Sequence, residues 1–439
     1  MIGGVRSSSI APVPHVIHAA NLLEIPLYLL PGSPARESAL ALTEIRVSPE
    51  VRSLPLAVIL ALVVGGMAAT TNTSVTGLLL TSIAEDLGHS VALLGGLKSI
   101  SAVVAFITAF PLSRVADQYP RKYLIALGLG CMITAALFAL TAANLAWFTG
   151  YYLFAGAADV ILFAMLLAAA SDYIDGAGLD RANGFVIGAF GLPGFAIVPL
   201  AGVISDSYGW RQAYLVNIGV AAIGMLLVLL LLPRVPPTGT KPQSTLSHLR
   251  MLTRKPGLTM ILIGNVMRFT MLTVLIVYVA AFMIERFDLS DGRAGFYFGI
   301  GSAAFLLAAF TSGLLIARLG LRRLMLSGGL ILAGGLLLAF LPGLPGLVTG
   351  AALLISGSLL SIQENGALGV ILRVAPNDRG AATSLNEIGA AIAGVAGSAL
   401  GGLVVGLTGF SGLAFLLAAA GLSAFYFTRR SFQIANPGR

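Results

Sequence analysis

The sequence predicts an all-α membrane protein in which twelve transmembrane helices form two pseudo-symmetric six-helix bundles. Three observations carry the prediction. The 439 residues are 57% hydrophobic and only 10% charged, with a mean hydropathy of +0.94, against roughly 25% charge in an average soluble domain. The apolar residues fall into long runs of about 20, the length that crosses a ~30 Å hydrocarbon core. Short polar landmarks recur at an offset of roughly 200 residues, the length of six spans with their loops. A soluble chain of this size could not bury so much apolar surface. A disordered chain, a nucleic-acid-binding domain and an ordinary cytosolic enzyme are therefore excluded.

The twelve spans are read at 54–80, 91–112, 122–143, 145–170, 184–204, 214–232, 257–283, 294–317, 321–341, 346–372, 381–408 and 411–428. They are too long, and lack the period of two, for barrel strands. The 53 glycines suit helices whose backbones approach closely in a bilayer. Cys131 is the only cysteine and lies in an apolar run, and His15, His18, His89 and His248 have no ligand spacing. Neither a disulfide framework, a metal cluster nor a cofactor site is expected.

Loop charge sets the expected orientation. With the first span starting inside, the inner loops and tails collect most of the 26 Lys and Arg, including Arg114, Arg121, Lys122, Arg322 and Arg323. The outer loops hold Arg211, Arg286 and Arg293. This asymmetry places both termini in the cytoplasm.

Two segments stand outside the spans. Residues 1–53 are polar and lack periodicity, and their apolar stretch Asn21 to Leu30 is broken by Glu24 and Pro26. They read as a disordered tail or as sequence ahead of the true start, with an amphipathic surface anchor as the alternative. Residues 233–256 are basic and Pro-rich, and read as a cytoplasmic linker between bundles at 54–232 and 257–428. Residues 429–439 form a second tail.

The halves echo each other. Asp86-Leu87-Gly88-His89 precedes the second span and Asp288-Leu289-Ser290-Asp291 the eighth; Ser90 and Asp291 are the expected N-caps. Val115-Ala116-Asp117-Gln118-Tyr119-Pro120-Arg121-Lys122 follows the second span, and Ile316-Ala317-Arg318-Leu319-Gly320-Leu321-Arg322-Arg323 the eighth. Asp180-Arg181 and Asp378-Arg379 open the fifth and eleventh. Equal orientation in both halves is a parallel repeat about an axis along the membrane normal. That geometry belongs to secondary transporters with a midplane site.

On these residues the chain, over about 54–428, resembles the major facilitator superfamily. The family pattern G-x-L-A-D-x-x-G-R-K/R is met by Asp117, Arg121 and Lys122, with Ser113 and Pro120 in place of its glycines. Gly194, Pro199 and Gly202 match the family's antiporter motif in the fifth span, while Val198 and Val203 depart from it. Asp206 and Gly209-Trp210-Arg211 are similar to drug-efflux members, and Tyr152 stands where the family's fourth span carries an Arg. The resemblance implies a conformational latch at Asp117, Arg121 and Lys122, with the start of the eleventh span, near Arg379, as its partner. It also implies a cavity lined by spans 1, 4, 7 and 10.

The spans contain five ionisable residues: Lys98, Asp159, Arg268, Glu364 and Glu387. Each costs about 2.5–3.5 kcal/mol at a helix centre, so they should face a cavity or one another. At 1.5 Å per residue, Asp159 lies ~21 Å from its outer end and Arg268 ~17 Å from its inner end. A salt bridge between them across the halves is expected; the alternative is that Arg268 binds an anionic substrate group. Lys98, nearer the outer face, is expected to snorkel outward or to serve structure. Burial disfavours the charged form of a carboxylate. Glu364 is therefore the leading proton carrier, followed by Asp159 and Glu387. Asn72 from the run Thr70-Thr71-Asn72-Thr73-Ser74, Asn265, Gln363, Asp159 and Arg268 are the candidate substrate contacts. Tyr151 and Tyr152 read as interfacial belt residues.

The expected function is a secondary transporter, monomeric and multi-pass in the cell membrane, exporting an amphiphilic or drug-like solute by proton antiport. Uptake of a small organic anion is the alternative within the class, and a non-transporting membrane sensor or scaffold the alternative outside it. The partners implied are a small-molecule substrate, protons and the lipid bilayer.

Overall fold

A computed structural model describes residues 56–116, 118–173, 177–234, 256–375 and 379–435. The expectations for residues 1–53, for most of the linker and for Asp117 lie outside these. Among the described residues there are thirteen helices and no strands. They are α1 Leu56–Leu78, α2 Leu80–Asp86, α3 Val91–Val115, α4 Arg121–Leu140, α5 Leu145–Tyr173, α6 Ala177–Tyr208 and α7 Trp210–Leu231 in the first half. The second half holds α8 Pro256–Phe287, α9 Asp291–Leu319, α10 Leu321–Phe340, α11 Gly346–Val374, α12 Arg379–Thr408 and α13 Ser411–Ala435. Twelve of them are long and apolar enough to cross a membrane, α2 being a short extension of α1. Several outrun their apolar runs by a turn or more, because backbone hydrogen bonding continues where hydrophobicity stops. Thus α6 begins at Ala177 and α13 reaches Ala435.

The turns follow from local chemistry. α6 passes to α7 through Gly209 (φ 92°), and α9 to α10 through Gly320 (φ 82°). These left-handed positions admit glycine without a steric cost. The first-half counterpart of the second turn is Pro120, which enters α4 with an extended ψ of 130° instead.

The repeat is also built into the turns before α3 and α9. Gly88 (φ 68°) and Asp288 (φ 52°) are both left-handed. His89 N–H donates to Ala84 O and Leu289 N–H to Ile284 O, the same helix-ending motif in each half. Ser90 Oγ then accepts from Leu93 N–H, and Ser290 Oγ from Arg293 N–H. The N-cap of α9 is thus Ser290, not Asp291 as expected. The identical letters Asp86-Leu87 and Asp288-Leu289 are two residues out of the true structural register.

Packing repeats as well. In the first half α1 packs on α6 and α7, α4 on α5 and α7, and α3 on α5. In the second, α8 packs on α12 and α13, α10 on α11 and α13, and α9 on α11. Across the halves α3 meets α12 and α9 meets α6, a pair of contacts that the pseudo-twofold exchanges. A third contact joins α1 to α8. One core runs through both halves, from Val75, Leu78 and Leu94 to Val274, Tyr278 and Ala294. Exposed apolar side chains such as Phe106, Ile107, Phe310 and Leu407 line the outer faces.

Candidate functional site

The ionisable residues within the spans gather in two places, one in each half. In the first half, Lys98 of α3 reaches between α1 and α5. Its Nζ donates to Thr73 Oγ1 at 2.8 Å and to Asp159 Oδ2 at 3.3 Å. The pair is partly accessible, with side chains 16% and 31% exposed. Asp159 Oδ1 is buried without a hydrogen-bond partner. The expected bridge from Asp159 to Arg268 is replaced by this one. Lys98 has a carboxylate within reach in its own half, so it does not snorkel outward.

In the second half, Arg268 of α8 is only 2% exposed. Its Nη2 donates to Thr428 Oγ1 of α13 at 2.5 Å and to Gln363 Oε1 of α11 at 3.3 Å. Gln363 is held in turn, its amide donating to the carbonyls of Leu324 and Met325 at 3.1 Å each. Glu364 lies within Coulombic range of both Arg268 and Glu387. One helical turn before Arg268, Asn265 donates to Asn386 Oδ1 of α12 at 2.6 Å, and Asn386 donates to Glu387 Oε1 at 3.5 Å. Three polar atoms here are buried and unpartnered: Arg268 Nη1, Asn265 Oδ1 and Glu364 Oε1. Such atoms are rare in folded proteins.

Four of the five candidate substrate residues thus stand in one or other cluster. Asn72 does not. It is fully buried, accepting from Asn217 Nδ2 at 2.7 Å while its own amide meets Met132. Its carbonyl accepts from Tyr151, whose hydroxyl accepts from Thr76 at 2.5 Å; Thr76 also bonds Tyr214 at 2.7 Å. This network ties α1 to α4, α5 and α7. Tyr151 and Tyr152 are buried here, not at a lipid interface: the Tyr152 hydroxyl donates to Leu94 O. Close packing of α5 on α3 draws them in, since Gly156 lies directly against the Ser101 backbone.

Thr73, Thr428, Asn386 and Asn217 escaped the sequence reading of sites as individual residues. Charge singles out a residue in an apolar run, whereas hydroxyls there often only bond back to the helix. The signal available was the amide: an Asn inside a span needs a partner.

The basic residues after α3 are anchored. Arg121 Nη1 donates to Ala116 O at 2.6 Å, and Lys122 Nζ to Leu232 O at 2.9 Å. Gly194, Pro199 and Gly202 of α6 face α9: a Cβ at Gly202 would stand 2.6 Å from Asp291 O, and Gly299 packs on the Pro199 ring.

Residues 62–281 and 261–439 match the Major Facilitator Superfamily. The chain belongs to this family. It is accordingly a multi-pass membrane transporter of a small-molecule substrate and not an enzyme. Solved members of the superfamily share the fold. A D-xylose-proton symporter superposes with a TM-score of 0.71 at 14% identity, covering 88% of this chain and 98% of that one. A bacterial homologue of the lysosomal transporter Spinster, in an inward-facing unoccupied conformation, gives 0.68 at 16%, covering 87% and 96%. Among sequence relatives, the chloramphenicol efflux pump Rv0191 of Mycobacterium tuberculosis is 29% identical over 156 residues, 36% of this chain. That match spans 38% of the pump's length. The transcription regulatory protein OpdE of Pseudomonas aeruginosa is 27% identical over 361 residues, 80% of this chain and 87% of that protein.

Proposed function

We propose that this superfamily member exports an amphiphilic or drug-like solute in exchange for protons, with Glu364 as the principal proton carrier. It would act as a monomer in the cell membrane, with both termini cytoplasmic. The observation that carries the reading is Glu364 Oε1, buried without a partner and within range of Arg268 and Glu387. A carboxylate so placed is neutralised by a proton or answered by a cationic group, and either change alters the charge the helix carries across the midplane. Asp159 and Glu387 are the secondary proton sites. Arg268, with Asn265 and Gln363 beside it, offers the substrate a guanidinium N–H, and Asp159 offers a carboxylate oxygen. Residues 54–232 rock against 257–428, and Asp117, Arg121 and Lys122 latch one of the two states. The partial identity to a chloramphenicol efflux pump and the Gly194, Pro199 and Gly202 pattern support export.

The test is reconstitution in liposomes with an imposed pH gradient. Counter-movement of protons and a chloramphenicol-like solute is expected; co-movement would replace export by proton-coupled uptake of an organic anion through Arg268 and Lys98. The longer match to OpdE favours a second reading, a membrane sensor without transport. Substrate-induced thermal shifts with no flux in either direction would select it.

A further inference from the structure

The molecule has two faces: the one at which α1 begins, and the far side, at which α1 and α2 end. Four side-chain hydrogen bonds join described residues of opposite halves, and all lie at the far side. Ser82 of α2 and Ser205 of α6 each donate to Asp291 Oδ2 at 2.6 Å. Asp206 of α6 accepts from Ser290 Oγ at 2.8 Å and from Gly292 N–H at 3.1 Å.

The local chemistry makes this a closure specific to the two halves. Because Ser290 rather than Asp291 caps α9, the Asp291 carboxylate is free to turn across the seam, where it is 8% exposed. Asp206 approaches the same helix start and accepts one of its backbone N–H groups, where the helix dipole favours negative charge. The backbones can come this close because the seam positions are glycines: Gly202 faces the Asp291 carbonyl, Gly292 the Asp206 carboxylate and Gly295 the Val198 carbonyl. Asp206 and Glu85, both carboxylates, lie within Coulombic range of Asp291. The seam therefore joins carboxylates from both halves through hydroxyls and one amide. Like charges drive α6 and α9 apart once those donors let go.

We infer that Asp291 with Ser82 and Ser205, and Asp206 with Ser290, form the far-side gate of this transporter, closing it by hydroxyl–carboxylate bonds that must break in every turnover. These are positioning residues; none contacts the clusters at Lys98 or Arg268. The inference needs the halves to rock, and is independent of the substrate, the direction of transport and the coupling ion.

Distances between spin labels test it directly. Tyr208→Cys on α6 and Phe296→Cys on α9, both exposed, are labelled in the full chain in nanodiscs, with Cys131→Ala removing the native thiol. A short-distance, closed population is expected in the parent. Ser82→Ala, Ser205→Ala and Asp206→Ala should each lower the closed-to-open ratio roughly tenfold, as expected for one hydrogen bond to a charged group. Asp291→Ala should abolish closure, while Ser205→Thr, which keeps the hydroxyl, should preserve it. If Asp291→Ala does not fold, the two serine variants and Asp206→Ala decide. A parent with no closed population overturns the inference. So do alanine variants that melt at lower temperature with unchanged distances, and a Ser205→Thr variant that behaves as Ser205→Ala. Absence of proton coupling in liposomes would defeat the proposed antiport and leave these distances to be judged alone.

Discussion

Lys98 Nζ and Asp159 Oδ2 form an ion pair of 3.3 Å between α3 and α5, with Thr73 of α1 completing the ammonium's environment. Removing one partner strands the other charge within the apolar span. Lys98→Met is therefore expected to lower the melting temperature and to reduce flux more than tenfold. The double variant Lys98→Met/Asp159→Asn should recover the melting temperature without recovering flux. Thermal unfolding and liposome flux, measured on the same preparations, check both halves of this expectation.

Glu364→Gln keeps the volume and hydrogen-bonding shape of the side chain and removes its proton exchange. Binding, read as a ligand-induced thermal shift, should survive. Flux driven by an imposed pH gradient should vanish. A variant that still couples solute to protons would transfer the carrier role to Asp159 or Glu387.

Arg268 spans α13 and α11 through one nitrogen, Nη2, and holds the other, Nη1, unpartnered. Lysine keeps the charge but not this fork. Arg268→Lys should lose a charged hydrogen bond of about 1.5–3 kcal/mol. Substrate affinity should fall at least roughly tenfold, while the distance between labels at Tyr208 and Phe296 stays unchanged. An unaltered affinity would remove Arg268 from the binding site.

Asn72→Ala leaves Asn217 Nδ2 without its acceptor inside the first half. Stability should drop by about 1–3 kcal/mol. Substrate affinity should hold, because both ends of the Asn72 amide are taken up inside the first half, by Asn217 and Met132. A large affinity loss at unchanged stability would return Asn72 to the substrate site.

Gly77 of α1 lies against the backbone of Ile276 in α8, so closely that a methyl group there collides with the Ile276 carbonyl. Gly77→Ala must push the halves apart at the far side. Overpacking of this kind costs about 1–3 kcal/mol, so the closed population of the labelled protein should fall severalfold or more. Gly96→Ala, where nothing stands within 4 Å of the added carbon, is the control expected to leave it unchanged.

The fold was legible because apolar length and repeat are long-range properties of a sequence. Twelve runs of the right length leave few architectures, and the turns around Gly88 and Asp288 carried enough letters to reveal the duplication. Register was less legible: matching Asp86 to Asp288 is natural in letters, but the left-handed residue and the serine cap define the equivalent positions, and these are conformations. At the site, charge drew attention to five residues that the structure gathers into two clusters, and their depth along each helix led to the expected pair. Rotation about the helix axis was not available. Asp159 and Arg268 share a depth but not a partner, since Lys98 lies on the face of α3 toward α5. Tyr151 and Tyr152 looked interfacial from their distance to the loop, and the tight α3–α5 contact at Gly156 put them inside.

Each half carries its own opposite charges: Lys98 with Asp159 in the first, Arg268 near Glu364 in the second. A tilt of one half against the other therefore leaves each of these neighbours together. Electrical work during reorientation falls on whatever the solute and the exchangeable proton add. The speed of the empty carrier's return should consequently respond weakly to membrane voltage.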